Sequence, residues 1–202
     1  MDQFNSILDT SEALFFRVGI KSITMDDIAR ELGMSKKTLY VHVKNKKDLV
    51  EKVIQRYIAN EASFAQNINI DTMNAIDIIV EIINHVHKSI SNLPHSAIYD
   101  LQKYYPKSWK LFIDFKNQFV FNTMVNIIQK GKIEGLFRKT INERLIAKFY
   151  VIAVDGTLNP VNFKDENISF KDIYLEYIIY HLHGLVSTEG KKYLKTIKLN
   201  NE

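Results

Sequence analysis

Apolar residues along this chain recur at steps of three and four almost from end to end, the period of helices with one buried face. Phe4, Ile7, Leu8, Ser11, Leu14, Phe15 and Val18 form the first such stripe, and Gly19 follows where a left-handed residue closes a helix. Thr24 stands three residues before Asp27, an Asp version of the capping box. It opens a short segment, 25–32, that turns Ile28, Ala29 and Leu32 inward before Gly33 ends it. Ser35 is the next N-cap, for a short helix through Val43. Asn45 with Asp48 repeats the start pattern, and Leu49, Val50, Val53, Ile54, Tyr57 and Ile58 mark a longer helix to about Gln66.

Beyond a polar loop at 67–72, residues 73–92 carry Ile79, Ile82, Ile83, Val86, Ile90 and Leu93 on one face. Asp77, Glu81, Asn84 and Lys88 lie opposite. Pro94 and Pro106 bracket a short helix, 95–104. Residues 107–130 read as one long helix with apolar groups on several sides, buried by several neighbours, which Gly131 and Gly135 break. Two helices at 142–157 and 170–187 complete an all-α chain. The expected division is a three-helix helix-turn-helix domain, 1–46, and a larger helical domain, 47–202.

Composition narrows the function. With 46% hydrophobic and 25% charged residues, the chain has the make-up of an ordered globular protein. Seven glycines and three prolines are too few turns for a β-sandwich or barrel of 202 residues. The absence of cysteine excludes thiolate catalysis, disulfides and Cys-based metal sites. Asp2, Gln3 and Asn5 after Met1 argue against a signal peptide, and no apolar stretch approaches a membrane span, so a cytoplasmic protein without a membrane partner is expected.

The stretch 24–47, TMDDIARELGMSKKTLYVHVKNKK, joins two short capped helices through a glycine turn, the form of a helix-turn-helix. The second helix of such a unit enters the major groove of duplex DNA. Here it offers Ser35, Lys36, Lys37, Thr38, Tyr40 and His42, groups that suit phosphates and base edges. Residues 1–50 hold eight basic and seven acidic side chains, a net of only +1, yet 32–47 contains five lysines and no acid. The domain is polarised, with one positive face for a duplex. A solvated lysine-rich turn is the alternative on charge alone.

The run ALFFRVGIKSITMDDIARELGMSKKTLYVHVKNKKDLV closely resembles the N-terminal signature of TetR-family transcriptional regulators. The likeness lies in Ala13-Leu14-Phe15 before Gly19, Ile28-Ala29 and Gly33, Ser35 with Thr38-Leu39-Tyr40, and Asn45 to Leu49. Val43 departs from it, the family usually having Phe there. Residues 131–138, GKIEGLFR, are similar to the turn before the last two helices of many members. The resemblance implies phosphate contacts from Thr24, the Met25 backbone and Lys46. It also implies a homodimer through the last two helices and a ligand pocket in the middle ones. The expected function is a ligand-responsive regulator, most simply a repressor, that binds a palindromic operator and is released by a small apolar effector. A DNA-binding architectural protein without an effector is the other reading.

Candidates for that effector are His87, at the edge of the Ile79/Ile83/Ile90 stripe, and the aromatics Tyr99, Tyr104, Trp109, Phe112, Phe115 and Phe119. Core packing competes with ligand contact for each. The pairs His85/His87 and His181/His183 stand two apart, about 200° round a helix and unlike a zinc pair, so neither a metal nor a cofactor is expected. No phosphate loop, nucleophile elbow or H-E-x-x-H motif points to an enzyme. Leu145, Phe149, Ile152 and Gly156, with Phe170, Tyr174, Tyr177, His181 and Leu185, are the stripes expected at the dimer interface.

Overall fold

The computed structural model describes residues 3–90, 93–159, 162–163 and 168–197. The described residues form helices α1 (Gln3–Val18), α2 (Met25–Glu31), α3 (Lys36–His42), α4 (Lys46–Asn67), α5 (Ala75–Ile90) and α6 (His95–Tyr104). They continue with α7 (Pro106–Phe115), α8 (Phe121–Ile133), α9 (Glu143–Leu158), α10 (Phe170–Leu185) and α11 (Thr188–Leu194). The expected all-α fold is what the chain adopts. No helix among the described residues is long and apolar enough to cross a membrane.

Three starts follow the side chains that favour them. Thr24, Ser35 and Asn45 sit in extended backbone and accept from the amides of Asp27, Thr38 and Asp48, each filling one of the orphan donors of a first helical turn. Gly19 and Gly33 take φ of 93° and 63° after α1 and α2, a conformation that side-chain-bearing residues resist.

The long helix expected at 107–130 is not one continuous α-helix. A π-helical turn, Lys116–Val120, separates α7 from α8. The apolar spacing runs through that turn without a break, so periodicity gives no warning of it. Gly131 does not end α8 but lies within it, because the ring of Phe137 rests on its backbone. A Cβ there would stand 2.2 Å from Phe137 Cδ2. The chain stops instead at Gly135, with φ of 74°. Leu136 then accepts from the amide of Ser187, and Arg138 donates to Leu185, which pins this turn to the end of α10. Short α11 was not foreseen, and Val18 is exposed rather than part of the first stripe.

Two hydrophobic cores result. The first gathers Ile7, Phe15, Ile28, Leu39, Leu49 and Val53 from α1–α4, with Ala97 and Leu101 of α6. The second joins α5, α8, α9 and α10 through residues such as Ile79, Ile128, Val151 and Ile178. α4 contributes Leu49 to Ile54 to the first core and then runs on beside the second. Arg56 fixes it to α1, donating to Asp9 and Glu12 at 2.6 Å each.

The stripe expected on α10 belongs to the fold rather than to a free face. Phe170, Tyr174 and Leu185 are buried, because α10 packs on both α5 and α9. The stripe on α9 is different. Leu145, Phe149 and Ile152 are all exposed, and Tyr180 of α10 is 78% exposed.

Candidate functional site

The helix-turn-helix is built by reciprocal caps. Thr24 donates its amide to Asp27 Oδ2 at 2.9 Å, and Asp27 returns its amide to Thr24 Oγ1 at 3.1 Å. The bonds from Thr24, with Arg30 nearby, hold the Asp27 carboxyl below its ordinary range. Leu39 and Val43, both buried, seat α3 on the first core.

That seating decides which residues look outward. Lys37, Tyr40 and Val41 are exposed, Val41 at 78%. Lys44 and Lys47 flank them, also exposed. Lys36 is exposed but pairs with Asp26 at 2.9 Å. The Ser35 and Thr38 hydroxyls lie 2.8 Å apart within the α3 cap. Met25 is buried, which leaves only its backbone at the start of α2.

Two of the expected DNA residues are engaged inside the protein. His42 turns back to α1, with Nε2 3.2 Å from Gln3 Oε1 and its ring 6.3 Å from Phe4, so it does not share the outer face of Lys37 and Tyr40. Lys46 is half-buried and donates to the Lys21 carbonyl at 3.3 Å. Burial lowers its pKa, against the pull of Asp100 and Asp27. Val41 was missed by the sequence reading; its spacing of four from Lys37 was the available sign of a shared face.

A cavity of about 140 Å³ lies farther along, between α4, α5, α7, the π turn, α8, α9 and α10. Of the expected ligand residues, Phe112, Phe115 and Phe119 line it. Phe115 and Phe119 stack at 5.3 Å. Trp109 is not in the lining but packs 5.8 Å from Phe112. Tyr99 and Tyr104 lie outside it, in the fields of Lys103 and Lys21.

His87 is not in the lining either; burial and Lys171 lower its pKa on a different side of α5. The imidazole that lines the cavity is His85. Its ring lies flat on Phe64, with centroids 3.6 Å apart and planes 8° apart, and its Nε2 is 3.0 Å from Glu61 Oε1. The stripe Ile79/Ile83/Ile90, used to place His87, is the fully buried core face. Of that stripe only Ile90 reaches the cavity; the rest of the cavity face of α5 is Ile82 and Val86, and His85 shares it.

The aromatic rings Tyr57, Phe64, Tyr150, Phe170 and Tyr174 complete most of the lining. Beside His85, Thr123 and the tyrosine hydroxyls, its acid and amine are Glu61, whose pKa burial raises despite His85, and Lys116, brought down by burial to about 8. No group of three or more His, Cys, Asp or Glu residues that could hold a metal occurs among the described residues.

The pattern that defines the bacterial regulatory proteins of the tetR family matches residues 7–53, the whole helix-turn-helix. The HTH-type transcriptional repressor KstR2 of Mycolicibacterium smegmatis is 23% identical over 200 residues, covering 94% of this chain and 93% of its own. A TetR-family regulator of Marinobacter aquaeolei shares the fold with a TM-score of 0.75 at 17% identity, over 97% of each chain. The SmeT–triclosan complex does so at 0.68 and 16%, over 93% of each. A matching DNA-binding segment, a relative aligned along nearly the whole chain and a common all-helical architecture lead to one conclusion: residues 7–53 form a helix-turn-helix of the tetR type, and the chain as a whole has the fold of the TetR-family transcriptional regulators.

Proposed function

We propose that the protein is a cytoplasmic repressor that binds a palindromic operator as a homodimer and releases it when a small, mainly apolar molecule enters the cavity. The observation that carries this reading is the course of α4. Its first turns belong to the helix-turn-helix core, while Tyr57, Glu61, Phe64 and Ala65 of the same helix line the cavity. Residues 1–46 then act as the DNA-reading unit and 47–202 as the effector-binding and dimerising unit, with α4 shared between them.

In this reading Lys37, Tyr40, Thr38, Ser35 and Lys36 face the groove, and Val41 joins them with methyl groups suited to thymine. Thr24, the Met25 amide and Lys46 take phosphates, Lys46 by leaving the Lys21 carbonyl. His42 keeps its place against Gln3. The exposed stripe Leu145, Phe149 and Ile152, with Tyr180, supports a two-fold contact, since apolar groups aligned on one face mark association surfaces. The SmeT–triclosan complex supports a small aromatic ligand within this fold.

The test is to select operator sequences from random duplexes, then follow their binding by fluorescence anisotropy as small apolar molecules are added. The expected result is an inverted repeat whose complex dissociates with at least one ligand. A selected site without two-fold symmetry overturns the dimeric operator. A ligand that fills the cavity and leaves DNA affinity unchanged favours the architectural reading.

A further inference from the structure

Lys116 is the unusual member of the cavity wall. It is a lysine, 4% exposed, in a lining that is otherwise almost entirely aromatic and aliphatic. A buried ammonium is costly to keep without compensation. Its acceptor is Asp155 of α9, and its Nζ lies 4.8 Å from the Phe112 ring centroid and 5.5 Å from that of Trp109. It stands at the start of the π turn, a local insertion that often accompanies functional sites.

The two members of this ion pair differ in their access to water. The Lys116 side chain is sealed in, whereas that of Asp155 is 38% exposed. A ligand acid that takes the ammonium therefore leaves Asp155 free to hydrate, and the buried charge stays compensated. A ligand cation has no such exchange. The one acid in the lining, Glu61, is bound to His85 at 3.0 Å, and removing it would strand that imidazole. The volume sets the size: about 140 Å³ is close to the ~150 Å³ of an engineered apolar cavity that holds benzene.

We propose that the effector is a small arylalkanoic acid, its ring among Phe112, Phe115 and Phe119 and its carboxylate on Lys116 in place of Asp155. This rests on the reading of the cavity as the effector site. At neutral pH most of the Lys116 amine remains protonated, since burial lowers it only to about 8, so the charge is available to an acid.

The chain's one tryptophan, Trp109, sits beside Lys116 and reports occupancy directly, without DNA. The experiment compares three probes of one shape, 3-phenylpropanoate, 3-phenylpropanamide and 3-phenylpropan-1-amine, by Trp109 emission and by calorimetry on the full chain. The acid is expected to bind more tightly than the amide by about tenfold or more, the margin of a charge-assisted over a neutral hydrogen bond. Lys116→Met should bring acid and amide to equal affinity, and Lys116→Arg should restore the preference, with circular dichroism checking that both fold. Amide or amine binding as tightly as the acid overturns the acid class and leaves the cavity reading intact. Failure of all three to bind overturns both.

Discussion

The amide of Lys21, in the turn between α1 and α2, donates a 2.7 Å hydrogen bond to the buried carboxylate of Asp100 on α6. Gly19, two residues earlier, lies so close to α6 that a Cβ would stand 2.8 Å from Ser96 Oγ. The helix-turn-helix is therefore joined to the larger helical body at a second place besides α4. Asp100→Ala removes the acceptor of a part-buried amide and should cost about 1 kcal/mol of stability, read as a lower urea midpoint. An unchanged midpoint would show that water replaces the carboxylate without loss.

Lys37 and Lys46 should separate by experiment. Lys37→Ala is expected to alter which operator variants bind best, because its side chain stands on the outer face of α3. Lys46→Ala should weaken all sequences alike and reduce the salt slope by about one counterion. A Lys46→Ala slope equal to that of the parent would mean that the amine stays with the Lys21 carbonyl on DNA.

Gly131→Ala should destabilise the chain by about 1–3 kcal/mol, the range for overpacking, because Phe137 beside it is fully buried and has no free space to enter. Thermal melting checks this. Pairing it with Phe137→Leu, which gives the new methyl group room, should recover part of the loss.

Acid should loosen the α9–α10 contact. His181 lies against Tyr150 and Tyr177 at 5.4 and 5.7 Å, and burial lowers its pKa to about 4. Between that value and the ordinary 6.5 the unfolded chain binds more protons than the folded one, so stability rises with pH there and falls on acidification. His181→Phe should flatten the melting temperature between about pH 6.5 and 4.5 relative to the parent chain. A parallel decline in both proteins would assign the acid sensitivity to other groups.

The exposed α9 stripe makes its own prediction. In the proposed homodimer, Phe149→Glu places a charge in the apolar stripe with Leu145 and Ile152, and should shift the dimer to monomer in light scattering at micromolar concentration. A parent chain that is already monomeric would remove the interface.

Most of the helices were legible in the sequence because their determinants are local. Caps at Thr24, Ser35 and Asn45 and the left-handed Gly19 and Gly33 act within four residues of themselves. What was not legible depends on distant partners. Gly131 reads as a helix breaker until Phe137 is seen resting on it. His85 and His87 are equally plausible by periodicity, and only the packing of α4 against α5 chooses His85 through Phe64 and Glu61. Phe112, Phe115 and Phe119 were found because the end of α7 and the π turn after it face the cavity, whereas Trp109 lies one turn too early and Tyr99 and Tyr104 share only their aromatic chemistry with that group. The turn-back of His42 to Gln3 spans 39 residues and left no trace in the local pattern.

The length of α4 turns small events at one end into large ones at the other. Its 22 residues span about 33 Å at 1.5 Å per residue. A pivot of roughly 5° about Phe64, about 27 Å from Lys46, carries the Lys46 end through about 2.4 Å, some two-thirds of the ~3.4 Å step between successive base pairs. A ligand that displaces a ring by a fraction of its own width thus acts on the scale by which a recognition helix gains or loses its register in the groove.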